Sequence, residues 1–165
     1  MAVSRFRDVF PSTTMTWFQA QTACQNSRKR LPSNAEWQAA VAGTPDPGSD
    51  DGATTCRTTG SNPVATGSRS ACVSSAGAFD MVGNVFEWVA DWVPRSTGCG
   101  SWPASVSPTP SADQQCLAGA ATTGELGALI RGGNYASGTL AGPLTILGLY
   151  GPSTASAGIG FRCAR

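Results

Sequence analysis

At 165 residues, 41% of them hydrophobic, the chain has the length for one domain, 1–165, built on one core. Only 13% of residues are charged and the formal net charge is +1, which argues against a basic face for nucleic acid. No run approaches the roughly 18 apolar residues of a membrane span, and the opening MAVSRFRDVF lacks the apolar stretch of a signal peptide, so no direct membrane insertion is expected.

The first predicted element is an amphipathic helix over TWFQAQTACQNSRKR (16–30). Thr16 and Gln19 form a capping-box pattern, and Trp17, Ala20 and Cys24 recur on one face. A second helix follows over SNAEWQAAVAG (33–43), with Ser33 and Glu36 as its capping box, Trp37, Ala40 and Val41 on its face, and Gly43 as its stop. From 44 to 79 the composition turns to Gly, Ser, Thr, Pro and Asp. The acidic GTPDPGSDDG within it lacks the closing Glu of an EF-hand loop and reads as a solvated loop. VFEWVADWV (85–93) has strand composition, 94–127 reads as irregular, and short strands are expected at 128–131, 144–150 and 159–164. The pattern predicts an α+β fold: two helices, then long loops over a small, mostly antiparallel sheet.

Catalytic chemistry finds little to work with. The chain has no histidine, so Ser-His-Asp and Cys-His arrangements are excluded. Its one lysine, Lys29, lies among arginines and reads as a solvated charge. Glu87 and Asp91 are expected to point to opposite strand faces or to serve structure. The six cysteines show no CxxC spacing for zinc. Their even number favours disulfides in an oxidising compartment, with local pairs Cys56–Cys72 and Cys99–Cys116 stapling two loops; buried free thiols are the alternative.

Four segments, RLPSNAEWQAA, FDMVGNVFEWVADW, RGGN and GFRCAR, occur in order from about Thr16 to Arg165. Together they resemble the formylglycine-generating enzyme (sulfatase-modifying factor) family, which implies a C-type-lectin-like fold. The resemblance places the family's two copper-binding cysteines at Ser137 and Gly142, neither of which can supply a thiolate to Cu(I), and related enzymes hold iron by histidine. Family-type catalysis, copper and iron are therefore not expected. The resemblance also implies a Cys24–Cys163 disulfide, and a second bridge whose two positions are Val41 and Leu147 here. It further implies a structural Ca²⁺ held by the side chains of Asp80 and Glu87 and the carbonyls of Gly83 and Val85, with a metal-free turn as the alternative.

Within that fold the chain is most similar to the variable proteins of diversity-generating retroelements, found in phages, bacteria and archaea. In these a window between RGG and GFR is rewritten at template adenines while its borders hold the fold. Residues 135–158 carry no charge and no Lys, Glu, Gln, Met or Trp, the residues that adenine changes in an AAC codon cannot produce. The resemblance implies a non-catalytic module binding a protein or glycan on another cell or particle, at a cell surface, outside the cell or on a phage. The alternative is a catalytically inactive accessory domain. Tyr135 and Tyr150 suit rigid anchors, Ala136, Ser137, Thr139, Thr154 and Ser156 adaptable contacts, and Leu140, Leu144 and Leu149 apolar ones. Alternation along LTILGLY puts Ile146 inside and leaves Leu147 open.

Overall fold

The structure, a computed structural model, describes residues 7–46, 48–96, 98–102, 112–119 and 124–165. Both helices form where their caps predict. Helix α1 spans Trp17–Asn26 and α2 spans Asn34–Val41. At each start the Ser or Thr hydroxyl accepts the amide three residues on, and the Gln or Glu side-chain oxygen there accepts the cap amide in return. Gly43, at φ +79°, follows α2 in the left-handed conformation that ends helices. Helix α1 is shorter than its pattern, stopping at Asn26 before a turn that places Arg28 at φ +55°.

Six strands form one sheet: β1 (Phe86–Val93), β2 (Gly98–Ser101), β3 (Gln114–Ala118), β4 (Gly127–Arg131), β5 (Ile146–Leu147) and β6 (Ile159–Phe161). Their order is β2-β3-β5-β4-β1-β6. Pairs β1–β4, β4–β5 and β2–β3 are antiparallel, whereas β1–β6 and β3–β5 are parallel. The stretch read as irregular, 94–127, thus contains β2 and β3. The strand expected at 144–150 shrinks to Ile146–Leu147, where Leu147 is buried with Ile146.

Core lies on both faces of the sheet. Val89, Leu129 and Ile146 pack with Trp37 and Val41 of α2, while Trp88, Ile130 and Leu147 pack with Ala20 and Cys24 of α1. Period-2 alternation divides these neighbours between the two sides. Cys24–Cys163 ties α1 to the residues after β6, and Cys56–Cys72 closes the long loop between α2 and β1. Cys116 is disulfide-bonded too; the side chain of Cys99, its expected partner, lies outside the described residues. Among the described residues no helix is long and apolar enough to cross a membrane.

Glu87 and Asp91 serve structure, one of the two expected outcomes, and the expectation of a solvated loop at 44–53 is corrected. Glu87 and Asp91 share the face toward α2: Asp91 Oδ2 accepts the Asn34 amide at 2.6 Å, and Glu87 Oε2 accepts the Trp37 indole at 2.7 Å. The loop at 44–53 is not wholly solvated, because the Asp50 carboxylate is 2% exposed and lies 3.5 Å from Arg57 and 3.6 Å from Arg69.

Candidate functional site

Residues 135–158 leave β4 after the RGG motif, re-enter the sheet as β5 and end just before β6, and their course is held mainly through backbone atoms. Arg131 is the central clamp. Its guanidinium donates to the carbonyls of Pro143 (3.2 Å), Leu144 (3.3 Å) and Thr145 (2.7 Å) and to Gln38 Oε1, and stacks 4.5 Å from the Trp37 ring centroid. Burial lowers its pKa to about 10, against the opposing pull of Asp113. Trp102 Nε1 adds a 2.7 Å bond to the Leu144 carbonyl, and Asp113 Oδ2 accepts the Leu144 amide at 2.6 Å. Elsewhere the amides of Tyr135 and Gly138 donate to the carbonyls of Asn84 and Thr58, while the amides of Trp17, Thr14 and Ala128 donate to Pro152, Ser156 and Tyr150.

The two glycines of RGG are demanded by space as well as by conformation. Gly132 and Gly133 sit at φ +88° and +84°. A Cβ on Gly133 would stand 2.5 Å from Ala141 Cβ, and one on Gly132 2.5 Å from the Met81 carbonyl oxygen.

The proposed contact residues are not equally available. Ala136, Thr139, Leu140 and Tyr150 are exposed; Tyr135, Ser137, Leu144, Leu149, Thr154 and Ser156 are half-buried. Three of them already serve the fold. Leu149 packs on the core cluster around α1. The Ser137 hydroxyl accepts the Asn134 amide at 2.9 Å, bracing a turn, and the Ser156 hydroxyl accepts the Gly158 amide. Topology also divides the set. Arg131 pairs with Glu87 and Ile146 at one end of the sheet, while Gly127 pairs with Val93 at the other. Residues 135–145 lie at the first end, and Leu149 and Tyr150 follow β5 to the second, roughly 13 Å away along β4. The chain then returns, so that Gly158 adjoins the Asn134 side chain.

At the positions that the resemblance assigns to copper-binding cysteines, Ser137 precedes a 3₁₀ turn (Gly138–Leu140), and Gly142 is overlaid by a carboxylate. A Cβ at position 142 would collide with Oδ1, Cγ and Oδ2 of Asp113, which is 1% exposed. A cysteine there requires the Asp113 carboxylate, the acceptor of the Leu144 amide, to shift.

Of the four residues expected to hold Ca²⁺, the two that would supply carboxylates are already engaged elsewhere. Asp80 and Glu87 line one cavity, but Arg162 donates to both Glu87 oxygens, through Nε at 2.5 Å and through Nη2. Asp80 Oδ2 accepts the Gly67 amide at 2.8 Å, leaving Oδ1 as the one carboxylate oxygen of the pair with no partner. Calcium takes 6–8 oxygen ligands, and a guanidinium at the same carboxylate opposes a second cation. Among the described residues no three His, Cys, Asp or Glu come together as a metal site. Burial pushes the Asp80 carboxyl up to about 6; the Gly67 amide and the Arg162 charge oppose that rise. Asn84, at φ +59°, reaches across to the Val64 backbone with both ends of its side-chain amide.

Arg131, Trp102 and Asp113 were not legible as window anchors. The strictness of RGGN was the available signal for Arg131; nothing local to Trp102 or Asp113 marks a partner dozens of residues away.

Solved structures with this fold include a Major Tropism Determinant P3c variant, at TM-score 0.61 and 21% identity, covering 90% of this chain and 36% of that one. PvdO from Pseudomonas aeruginosa matches at TM-score 0.54 and 22% identity, over 93% of this chain and 60% of that one. Treponema denticola variable protein 1 matches at TM-score 0.57 and 18% identity, over 98% of this chain and 73% of that one. The chain thus spans about a third of the length of the tropism determinants it matches. No curated protein sequence matches it. The expected C-type-lectin-like α+β fold is the observed one. With the sulfatase-modifying factor enzyme 1-like domain model matching residues 3–165, the chain belongs to that family.

Proposed function

We propose that this chain is a non-catalytic binding module in which residues 135–158 form a changeable surface on the scaffold supplied by the rest of 1–165. Its ligand is a protein or glycan on another cell or particle. The observation that carries this reading is how the window is held. Arg131 and Trp102 bind the carbonyls of 143–145, and the contacts from Thr14, Trp17, Thr58, Asn84 and Ala128 are all backbone to backbone. Backbone contacts survive a change of side chain, so exposed positions can vary while the course of the chain does not. The names of the matched structures, a tropism determinant variant and a variable protein, support the same reading.

Loss of family-type catalysis is part of the proposal, supported by Ser137 and Gly142 in place of thiolates and by Asp113 over Gly142. Family membership favours the second reading, a catalytically inactive accessory domain. The DNA around the gene separates the two. A near-copy of the segment coding for 135–158, beside a reverse transcriptase gene, is expected for the binding module; its absence, with identical windows in independent isolates, rules that module out.

A further inference from the structure

A second site lies outside the window and does not depend on the reading above. The cavity beside Asp80 encloses about 360 Å³, at the small end of the roughly 300–1,000 Å³ of ligand pockets. Four charged side chains line it: Lys29, Asp80, Glu87 and Arg162. Glu87 and Arg162 are paired with each other, which leaves Lys29 without an ion pair and one oxygen of Asp80 without a donor. Asp80 is 5% exposed, with Oδ2 on the Gly67 amide and Oδ1 without a hydrogen-bond partner. Lys29, in the turn after α1, forms no ion pair among the described residues. Much of the remaining wall is apolar, including Phe10, Val85 and Phe161.

A buried acceptor with no donor is a costly feature that native structures keep where a ligand, ion or water completes it. A metal cation is disfavoured by Arg162, as argued above. A simple organic cation meets Lys29 and Arg162, and a simple anion meets Asp80 and Glu87. The four lining charges sum to zero, with an acceptor lacking a donor at Asp80 and an ammonium lacking an ion pair at Lys29, so the cavity favours a net-neutral molecule that carries both a donor cation and an anion. We propose that it binds a small zwitterion with an apolar side chain, the class of the aliphatic and aromatic α-amino acids. The ammonium donates to Asp80 Oδ1, the carboxylate faces Lys29, and the side chain lies against Phe10, Val85 and Phe161.

The test is calorimetric titration of the full chain near neutral pH. Its probes are L-phenylalanine, L-leucine, 2-phenylethylamine (no carboxylate) and 3-phenylpropanoate (no ammonium). At least one amino acid is expected to bind, with both single-charge analogues weaker by about tenfold or more. Asp80→Asn should weaken amino-acid binding by a similar factor, its near-UV circular dichroism unchanged. Lys29→Met should weaken the amino acid and leave 2-phenylethylamine as it was. No heat from either amino acid up to millimolar concentration overturns the proposal, as does an analogue binding as tightly as its parent. If Asp80→Asn does not fold, Lys29→Met and the analogues still decide the outcome.

Discussion

If the window is a filling and the RGG motif a frame, changes of equal chemical size should have unequal costs. The perturbation is a fourfold window variant, Ala136→Ser, Thr139→Asn, Leu140→Ser and Tyr150→Asn, set beside the single change Arg131→Met. Leu140 and Tyr150 are 43% and 41% exposed, and none of the four is a cap or lines a packed core. At about 0.5 kcal/mol each, the four changes together cost at most about 2 kcal/mol. Arg131 is 2% exposed and binds four acceptors, three of them carbonyls. Burying its charge is unfavourable: the drop from 12.5 to about 10 corresponds to about 3 kcal/mol. Each charge-assisted bond returns about 1.5–3 kcal/mol, so four outweigh the burial term. Removing the donor also strands buried carbonyls, and a net loss of about 3–5 kcal/mol is expected. Urea denaturation of the disulfide-intact proteins measures both. A fourfold variant that loses more than Arg131→Met would place the window in the core and refute the reasoning.

Four further outcomes are expected. Asp80 titrates at about 6 in the fold against 3.8 ordinarily, so its protonated form favours folding. That contribution is complete below pH 3.8 and is lost as pH rises to about 6, a fall of about 3 kcal/mol; Asp80→Asn should flatten this slope, and an unchanged slope would assign it elsewhere. Ser137→Cys with Gly142→Cys, loaded with Cu(I) and given oxygen and a sulfatase-type cysteine peptide, should yield no formylglycine above background, because Asp113 occupies the space of the second thiol. Millimolar Ca²⁺ should leave the melting temperature unchanged; a rise abolished by Asp80→Asn would restore the metal site. Non-reducing peptide mapping should recover Cys24–Cys163, and removing that bridge, which spans 139 residues, should cost up to about 5 kcal/mol.

The parts of the fold legible in the sequence were those whose cause is local. Both capping boxes, the stop at Gly43 and the apolar composition of β1 each act within a few residues. Strands β2 and β3 were missed because GCGS and QQCLA carry no alternation of their own; each forms by pairing with the other, and β3 also with β5. Leu147 was undecided for a related reason. A strand buried on both faces has no solvent side to alternate against, and β5 contributes Ile146 to one core and Leu147 to the other. At the site, residue types suggested contacts but could not separate exposed Leu140 from core-packed Leu149, since Leu149 is covered by a cluster that includes residues more than a hundred positions away on α1. The reading of Asp80 and Glu87 as calcium ligands did not see Arg162, 75 residues from Glu87, whose claim on that carboxylate leaves no local trace.

The separation of the window into two ends changes what a binding surface here can be. A partner that needs Tyr135 and Leu140 approaches the end where Arg131, Trp102 and Asp113 grip the chain; one that needs Tyr150 approaches the other. The first end combines a firm backbone hold with three exposed positions, Ala136, Thr139 and Leu140, in one short loop, whereas the exposed Tyr150, Ser153, Ala155 and Ala157 are spread along the segment that leaves the second end. At the second end Leu149 is committed to the core, and exposed Tyr150 stands beside the Gly151–Pro152 pair that backs onto α1. Rigidity under a contact lowers the ordering cost of binding, and adaptability at its surface supplies the range of partners. Both conditions meet at 135–142. If the window binds as proposed, that loop, held by one buried guanidinium reaching past it to the carbonyls of 143–145, is where a change of side chain would alter recognition without touching the core.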